Sequence, residues 1–222
     1  AGGLNCGETD PPLHQEMRVH QSAVLAATAF ARVNKIAKVV IDSPNARLGI
    51  VTTGKSYLDV LQALEYLGIS ERDAREIGIR VYKVGMTWPL EPVGIRDFAR
   101  GLEDIVVVEE KRSFIESQMK EYMYNWDEAR RPHIVGKYDE DGNWILPSTN
   151  ELTPAMIALV IAKRLSRFFN NETIRARVAW FEAKEHELTR PRPNFPRAAH
   201  YWSVCPHHQS TNAPQGSPAA RR

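Results

Sequence analysis

The first indication of the fold is a β-branched run that passes into glycine and lysine, Leu48-Gly49-Ile50-Val51-Thr52-Thr53-Gly54-Lys55-Ser56. Stiff β-branched side chains favour a strand over 48–52, and Gly54 suits the turn that ends it. Residues 57–67 carry leucines at helical spacing and are followed by Gly68. This stretch therefore predicts a strand followed directly by a helix.

The same alternation continues along the chain. Apolar strands are predicted at Ile79–Val84 and Ile105–Val108, with a helix at Gly94–Gly101 between them and another helix after the N-cap candidate Ser113. Continuous apolar strands that alternate with helices are typical of a parallel sheet covered on both faces. The sequence therefore predicts the α/β class.

The flanking segments have simpler patterns. Apolar residues at near-helical spacing predict one long helix over Leu13–Ala37, and Thr153-Pro154 is a typical helix start. A last helix is predicted over Glu172–Leu188. Residues 139–143 resemble the first ligands of an EF-hand, but Trp144 stands where that loop needs glycine, which favours a hairpin turn.

Residues 49–56 also fit the pattern G-x-x-x-x-G-K-[ST] of a phosphate-binding loop, and Glu109-Glu110 follow an apolar strand downstream. A nucleotide-binding module built on Gly49–Ser56 is therefore one hypothesis. The alternative is a strand-to-helix turn, because Ile50, Val51 and Thr52 suit a strand interior better than a curled loop. We favour the turn.

Three further features are candidates for chemistry. Lys83 lies in a strand that we expect to be buried, and we hypothesise that it forms an ion pair with Glu109. The loop 88–92 follows the end of a strand, where open α/β sheets bind ligands, but it is equally suited to an interface. Cys205-Pro206-His207-His208 is the one cysteine-histidine cluster of the sequence.

Composition narrows the class of protein. The chain has 222 residues, 43% hydrophobic and 25% charged, with a formal net charge of +2, which excludes a disordered, collagen-like or disulfide-dense chain. Its two cysteines cannot supply the four thiolates of an iron–sulfur cluster, and we expect a reducing cytoplasm. The five arginines after Thr189 account for the positive excess. We therefore expect neither a nucleic-acid partner nor a membrane partner.

Taken in order, these blocks resemble the middle of indolepyruvate:ferredoxin oxidoreductase in its long single-chain form. The resemblance rests on residues 48–57, 78–92 and 101–112, and then on Glu151-Leu152-Thr153-Pro154 and Cys205-Pro206-His207. It implies a three-layer α/β/α sandwich like the transketolase C-terminal domain, spanning 13–188. On this view residues 1–12 are a linker, and the Pro- and Arg-rich tail 189–222 leads towards a missing pyrophosphate-binding domain.

The resemblance also implies the chemistry of the intact enzyme. Such an enzyme uses thiamine diphosphate, Mg²⁺ and 4Fe-4S clusters to decarboxylate arylpyruvates oxidatively, passing electrons to ferredoxin and the acyl group to coenzyme A, and it is expected to be a homodimer. This segment is then an excised or truncated structural domain without catalytic residues, inactive alone. Where the family has C-x-G-C-P-H, this chain keeps only Cys205 and His207, which are expected near the cofactor. A non-enzymatic interaction domain is the remaining alternative.

Overall fold

The computed structural model describes residues 10–188, with side chains described to residue 184, and it centres on a five-stranded sheet. Helices and strands follow in the order α1 (Pro12–Arg18), a π-helical turn (Val19–Ala23), α2 (Val24–Val33), β1 (Lys38–Ile41), β2 (Leu48–Thr53), α3 (Gly54–Tyr66), α4 (Glu71–Ile77), β3 (Ile79–Val84), α5 (Pro92–Ala99), β4 (Asp104–Val108), α6 (Ile115–Met123), β5 (His133–Val135), α7 (Pro154–Leu165) and α8 (Glu172–Leu188).

The strand order across the sheet is β1-β3-β2-β4-β5. Strands β3, β2, β4 and β5 run parallel, with Ile50 opposite Val81 on one side and opposite Val106 on the other. Strand β1 pairs antiparallel with β3 at one edge. Because the central strands β2 and β4 are covered on both faces, their sequences are continuously apolar rather than alternating.

Two hydrophobic cores lie on the two faces of the sheet. Helices α3 and α7 cover one face, and its largest buried side chains include Leu48, Ile50, Leu67, Ile79, Leu146 and Leu152. Helices α5 and α6 cover the other face, where the core includes Val51, Ile95, Phe98, Ile105, Ile115 and Met119. The predicted three-layer α/β/α sandwich with a mostly parallel sheet is therefore confirmed.

Several predicted elements need correction. The N-terminal helix ends at Val33 rather than Ala37, and β1 and α4 were not predicted. Helix α4 has a capping box between Ser70 and Asp73, and its C-cap is Gly78, whose φ is 102°. Leu58, one of the leucines at helical spacing in residues 57–67, is 64% exposed and so does not share the buried face of Ala63 and Leu64. The strands β2, β3 and β4 are confirmed to within a residue.

The hairpin turn and the start of α7 are confirmed. A bridge between Tyr138 and Trp144 closes the turn, and Asp139 Oδ1 accepts a hydrogen bond from the Asn143 amide at 2.8 Å. Thr153 is the N-cap of α7, where its hydroxyl oxygen accepts a hydrogen bond from the Met156 amide at 3.3 Å. Within residues 10–188, no helix is long and apolar enough to cross a bilayer.

Candidate functional site

The carboxyl ends of β2 and β4 open into a cleft of about 440 Å³, at the edge of the sheet where open α/β folds bind ligands. Its lining combines the first residues of α3 with the loop after β4, namely Thr53, Gly54, Lys55, Ser56, Thr87, Glu109, Glu110, Lys111, Arg112 and Phe114. This cleft brings together the end of the 49–56 motif and the acid pair Glu109-Glu110, so the contacts of these residues decide what it can bind.

The motif of residues 49–56 does not form a phosphate-binding loop. Residues 48–53 are strand β2, and a Cβ on Gly49 would come within 2.5 Å of Leu102 Cδ1, so this glycine allows Phe98 and Leu102 to pack closely against the sheet. Only Gly54, with φ of +54°, makes a turn, and α3 begins there. The favoured interpretation, a strand-to-helix turn, is therefore confirmed.

The lysine of this motif is paired with acids. Lys55 Nζ lies 2.9 Å from Asp59 Oδ2 and 3.7 Å from Glu110 Oε1. The hydrogen bond with Asp59 is the main reason that the pKa of Lys55 is above its usual value. Two carboxylates beside the ammonium group oppose the approach of a phosphate, because like charges repel at this distance.

Glu109 caps helix α6. Its side chain accepts hydrogen bonds from the amides of Ile115 at 2.8 Å and Glu116 at 3.0 Å, and the residue is only 4% exposed. A carboxylate at a helix N-terminus satisfies free amides and complements the helix dipole. Ser113, the cap candidate, does not hold this position, because the N-cap residue is Phe114 and its side chain makes no capping bond.

The hypothesised ion pair between Lys83 and Glu109 is wrong. Strand β2 separates β3 from β4, so the two residues are not on neighbouring strands. The alternation of side chains also directs them to opposite faces of the sheet. Lys83 Nζ instead lies 4.4 Å from the ring centroid of Tyr57, a cation–π contact with helix α3.

The buried lysine of this edge is Lys137, which sequence reasoning missed. It is 2% exposed, and its ammonium group donates to the Glu109 carbonyl oxygen. The Glu116 carboxylate accepts from the Lys137 amide at 3.1 Å and from Lys120 Nζ at 2.6 Å. Burial lowers the pKa of Lys137, although the nearby glutamates act in the opposite direction. The signal in the sequence was a lysine directly after the apolar run 134–136.

The loop 88–92 is anchored to two helices. The Leu90 amide donates to Gln118 Oε1 at 2.8 Å, and Leu90 itself is 1% exposed. Glu91 is the N-cap of α5 and also pairs with Arg32 of α2 at 2.8 Å. Burial raises the pKa of Glu91, but its hydrogen bonds from the α5 amides and Arg32 outweigh that effect and hold the pKa below its usual range. Trp88 remains 55% exposed at the tip.

An apolar surface on α2 is the second candidate feature. The helix buries only Thr28 and Ala31, and its outward side exposes large side chains, namely Leu25 (62%), Phe30 (62%) and Val33 (79%). We call these three residues the α2 surface. A helix that is apolar all round is normally buried. The α2 surface therefore has the composition of a contact surface.

The described residues do not fit the cofactors that the resemblance implies. Across residues 10–188 no group of three or more His, Cys, Asp or Glu side chains could hold a metal ion. Of the cations that line the carboxyl-edge cleft, Lys55 is already paired with acids and Lys111 Nζ donates to the Asn150 carbonyl oxygen at 2.8 Å, which leaves Arg112 as the one cation of the lining without a described hydrogen bond or ion pair. Cys205 and His207, the predicted cofactor-proximal residues, lie outside the described residues.

Comparison with known proteins decides the family. Residues 38–187 match the model of the indolepyruvate oxidoreductase domain. The chain belongs to this family. The resemblance inferred from the sequence blocks is thereby confirmed. The matched span begins at β1 and reaches into α8. It therefore includes the whole sheet and leaves out α1 and α2.

Curated relatives of this indolepyruvate oxidoreductase domain are oxidoreductase subunits. The chain is 29% identical over 166 residues to indolepyruvate oxidoreductase subunit IorA of Thermococcus kodakarensis, a match that covers 75% of this chain and 22% of that protein. It is 31% identical over 157 residues to IorA of Pyrococcus abyssi, covering 69% and 21%. The chain thus spans about a fifth of the length of the curated relatives that it matches.

Solved structures give more distant matches. A 2-oxoglutarate:ferredoxin oxidoreductase from Magnetococcus marinus aligns with a TM-score of 0.45 and 16% identity, over 72% of this chain and 24% of that one. A split-gene transketolase aligns with a TM-score of 0.39 and 18% identity, over 60% and 42%.

Proposed function

We propose that this chain is a structural and interface domain of a thiamine-diphosphate-dependent indolepyruvate:ferredoxin oxidoreductase. The intact enzyme would decarboxylate arylpyruvates oxidatively, reduce ferredoxin and form acyl-coenzyme A. In this proposal the chain supplies architecture and a contact surface, and it neither binds thiamine diphosphate nor turns over substrate alone. Its family membership and its match to about a fifth of the IorA length support a role as one part of a larger enzyme.

The observation that carries the interface role is the α2 surface. Leu25, Phe30 and Val33 leave large apolar areas in water, and each would gain about 1.5 to 3 kcal/mol on full burial. Helix α2 is fastened to the body by the ion pair between Arg32 and Glu91, so the surface is held in a defined position. The occupant that we propose is the remainder of the same enzyme, including its second copy.

The proposed absence of catalysis in this segment rests on how its charged groups are used. At the carboxyl edge, Lys55 is paired with Asp59, Glu109 caps α6, and Lys137 binds the Glu109 carbonyl. Each of these contacts maintains the fold, so these three side chains are not free to act as an acid or a base over the cleft. Thiamine diphosphate would supply the carbanion chemistry and iron–sulfur clusters the electron transfer, on other domains of the enzyme. Cys205 and His207 remain proposed neighbours of that cofactor.

Paired variants in the intact enzyme test the interface role. The double substitution Leu25→Ser and Phe30→Ser should weaken assembly of the enzyme, because it removes apolar area from the proposed contact. Leu58→Ser is the matched control, since Leu58 is 64% exposed on α3, on the other face of the sheet. Size-exclusion chromatography and indolepyruvate-dependent ferredoxin reduction are the measurements. Unchanged assembly and activity in the double variant would contradict the role of the α2 surface.

The melting temperature of the isolated chain distinguishes a folding defect of the double variant from an interface defect. Because both positions are exposed, the double variant of the isolated chain should keep its melting temperature within a few degrees of the unmodified chain. A large loss of stability in the isolated chain would mean that the two side chains support the fold, which also contradicts the proposal.

A further inference from the structure

A second cleft lies at the opposite edge of the sheet, where β4 and β5 begin. It has a volume of about 1000 Å³, and its lining is dominated by arginines from α5, the loop after α6 and the segment between α7 and α8, namely Arg96, Arg100, Arg130, Arg131 and Arg167. We call it the arginine cleft. Leu102, Trp126 and His133 also line it. Neither the family match nor the interface role accounts for this concentration of positive charge.

Two of the three acids that line the arginine cleft are paired with arginines. Glu103 accepts two hydrogen bonds from Arg47, at 2.6 and 2.8 Å. Asp104, only 3% exposed, binds Arg167 at 3.0 and 3.1 Å. The third acid of the lining, Asp127, uses its Oδ1 to accept a hydrogen bond from the Ala129 amide at 3.0 Å. Asp127 has no cationic partner within residues 10–184, but the five arginines of the lining outnumber its three acids, so the cleft keeps a positive excess.

Three of those arginines have no carboxylate partner within residues 10–184. Arg96 makes one long hydrogen bond, 3.4 Å, to the Tyr122 carbonyl oxygen, and Arg131 donates to the Tyr124 carbonyl oxygen at 2.8 Å. Arg130 makes no side-chain hydrogen bond or ion pair within the same range. A guanidinium group has five N–H donors, so these contacts leave most of the donors of all three residues available to a ligand.

We propose that the arginine cleft binds a phosphorylated small molecule of the nucleoside diphosphate class. Guanidinium groups match phosphate oxygens in a bidentate geometry, and three unpaired guanidinium groups suit more than one phosphate group. Trp126, half-buried beside Leu102, supplies an aromatic and apolar wall for a ring. The volume lies at the upper end of small-molecule sites. This inference goes beyond the proposed function and does not depend on it.

A small ligand fits the concave shape of the cleft better than an acidic macromolecule does. Arginines of both α5 and the loop 124–131 line the same cleft, so a compact polyanion can contact several of them at once. A flat acidic protein surface would reach fewer of these groups. The binding experiment therefore includes an acidic polymer, which distinguishes a macromolecular ligand from a small one.

Isothermal titration of the full 222-residue chain tests the proposal with ADP, pyrophosphate, adenosine and polyglutamate as probes. ADP should bind at least roughly tenfold more tightly than adenosine, because phosphate contacts provide the affinity, and also more tightly than pyrophosphate, because of Trp126. Arg130→Gln and Arg96→Gln should each weaken ADP binding about tenfold. Arg72→Gln is the matched control, because Arg72 is 86% exposed on α4, outside the cleft.

Several outcomes would overturn this assignment. The first is that neither ADP nor pyrophosphate binds at about millimolar concentrations. The second is that Arg72→Gln weakens ADP binding as much as the variants of the cleft do. The third is that ADP binds no more tightly than pyrophosphate. Binding of polyglutamate alone would assign the cleft to an acidic macromolecule instead. Because Arg130 makes no side-chain contact that the fold requires, circular dichroism of Arg130→Gln should match that of the unmodified chain.

Discussion

The ion pair between Glu140 and Arg164 should make the stability of this domain depend on acid pH. Both carboxylate oxygens of Glu140 accept hydrogen bonds from the Arg164 guanidinium, at 2.5 and 2.7 Å. Arg164 is 3% exposed and lies 3.7 Å from Asp104, at the start of β4. The pair therefore ties the hairpin turn to α7 and the sheet. The perturbation that we consider is Glu140→Gln, which keeps the shape and removes the charge.

The expected magnitude follows from the pKa of Glu140. The hydrogen bond with Arg164 lowers that pKa from 4.5 to about 2, against the opposing effect of burial. At about 1.4 kcal/mol per pH unit, the shift corresponds to roughly 3 kcal/mol. The Glu140 side chain is 31% exposed, so solvent screening reduces the expected contribution to about 1.5 to 2 kcal/mol.

The direction with pH follows from the same shift. Because the folded protein binds this proton less tightly than the unfolded chain, the stabilisation is complete above pH 4.5 and is lost as the pH falls towards 2. Glu140→Gln should therefore destabilise the domain at neutral pH, and the difference from the unmodified chain should vanish towards pH 2.

Urea unfolding followed by circular dichroism at a series of pH values is the assay. Glu71→Gln serves as the control, because Glu71 forms an ion pair with Arg75 in which both side chains are more than half exposed. Its effect should stay below about 0.5 kcal/mol. A Glu140→Gln variant that is as stable as the unmodified chain at neutral pH, or a difference that persists unchanged at pH 2, would refute the reasoning.

Three further substitutions follow from the structure. Gly136→Ala should destabilise the domain by about 2 kcal/mol or more, because the added Cβ would overlap the Glu116 carboxylate, and thermal melting measures this. The unmodified chain should gain stability relative to Lys137→Met as the pH rises towards 10.5. Burial lowers the pKa of Lys137 in the folded chain, so the buried ammonium group loses its proton first, and the free-energy cost of burying its charge disappears. Thr153→Ala should cost about 1 kcal/mol in urea unfolding, through loss of the α7 N-cap.

Each of these three predictions has an outcome that contradicts it. Gly136→Ala with an unchanged melting temperature would mean that Glu116 has free space to move. A Lys137→Met difference that is flat up to pH 10.5 would show that the buried lysine titrates as in water. For the N-cap, Thr153→Ser should retain the stability that Thr153→Ala loses, and equal loss in both variants would exclude capping as the cause.

The central sheet was predictable because its strands are buried on both faces. Strands β2, β3 and β4 are β-branched runs bounded by turns, a pattern that follows from local chemistry alone. Strand β1 was not predicted, because its four residues follow directly on a helical pattern and owe their conformation to antiparallel pairing with β3. Helix α4 was also missed, although Ser70 and Gly78 carried the capping signals.

Contacts at the candidate site were harder to predict than the elements that carry them. Lys55 and Glu110 each follow a predicted parallel strand, so the sequence indicated the same edge of the sheet for both. Only the strand order shows that β2 separates Lys83 from Glu109. The order of strands in a sheet depends on how whole elements pack, which no single stretch encodes. The arginine cleft likewise combines residues far apart in sequence, so Arg96 and Arg130 gave no local signal.

The most direct test of the central claim is an activity measurement on the purified 222-residue chain beside the intact enzyme. Both samples receive indolepyruvate, coenzyme A, ferredoxin, Mg²⁺ and thiamine diphosphate, and ferredoxin reduction is followed. The interface-domain proposal predicts reduction by the intact enzyme and none above background by the chain alone, which should also bind no thiamine diphosphate in a titration. Indolepyruvate-dependent reduction by the isolated chain would contradict it, as would an intact enzyme inactive on indolepyruvate and other arylpyruvates.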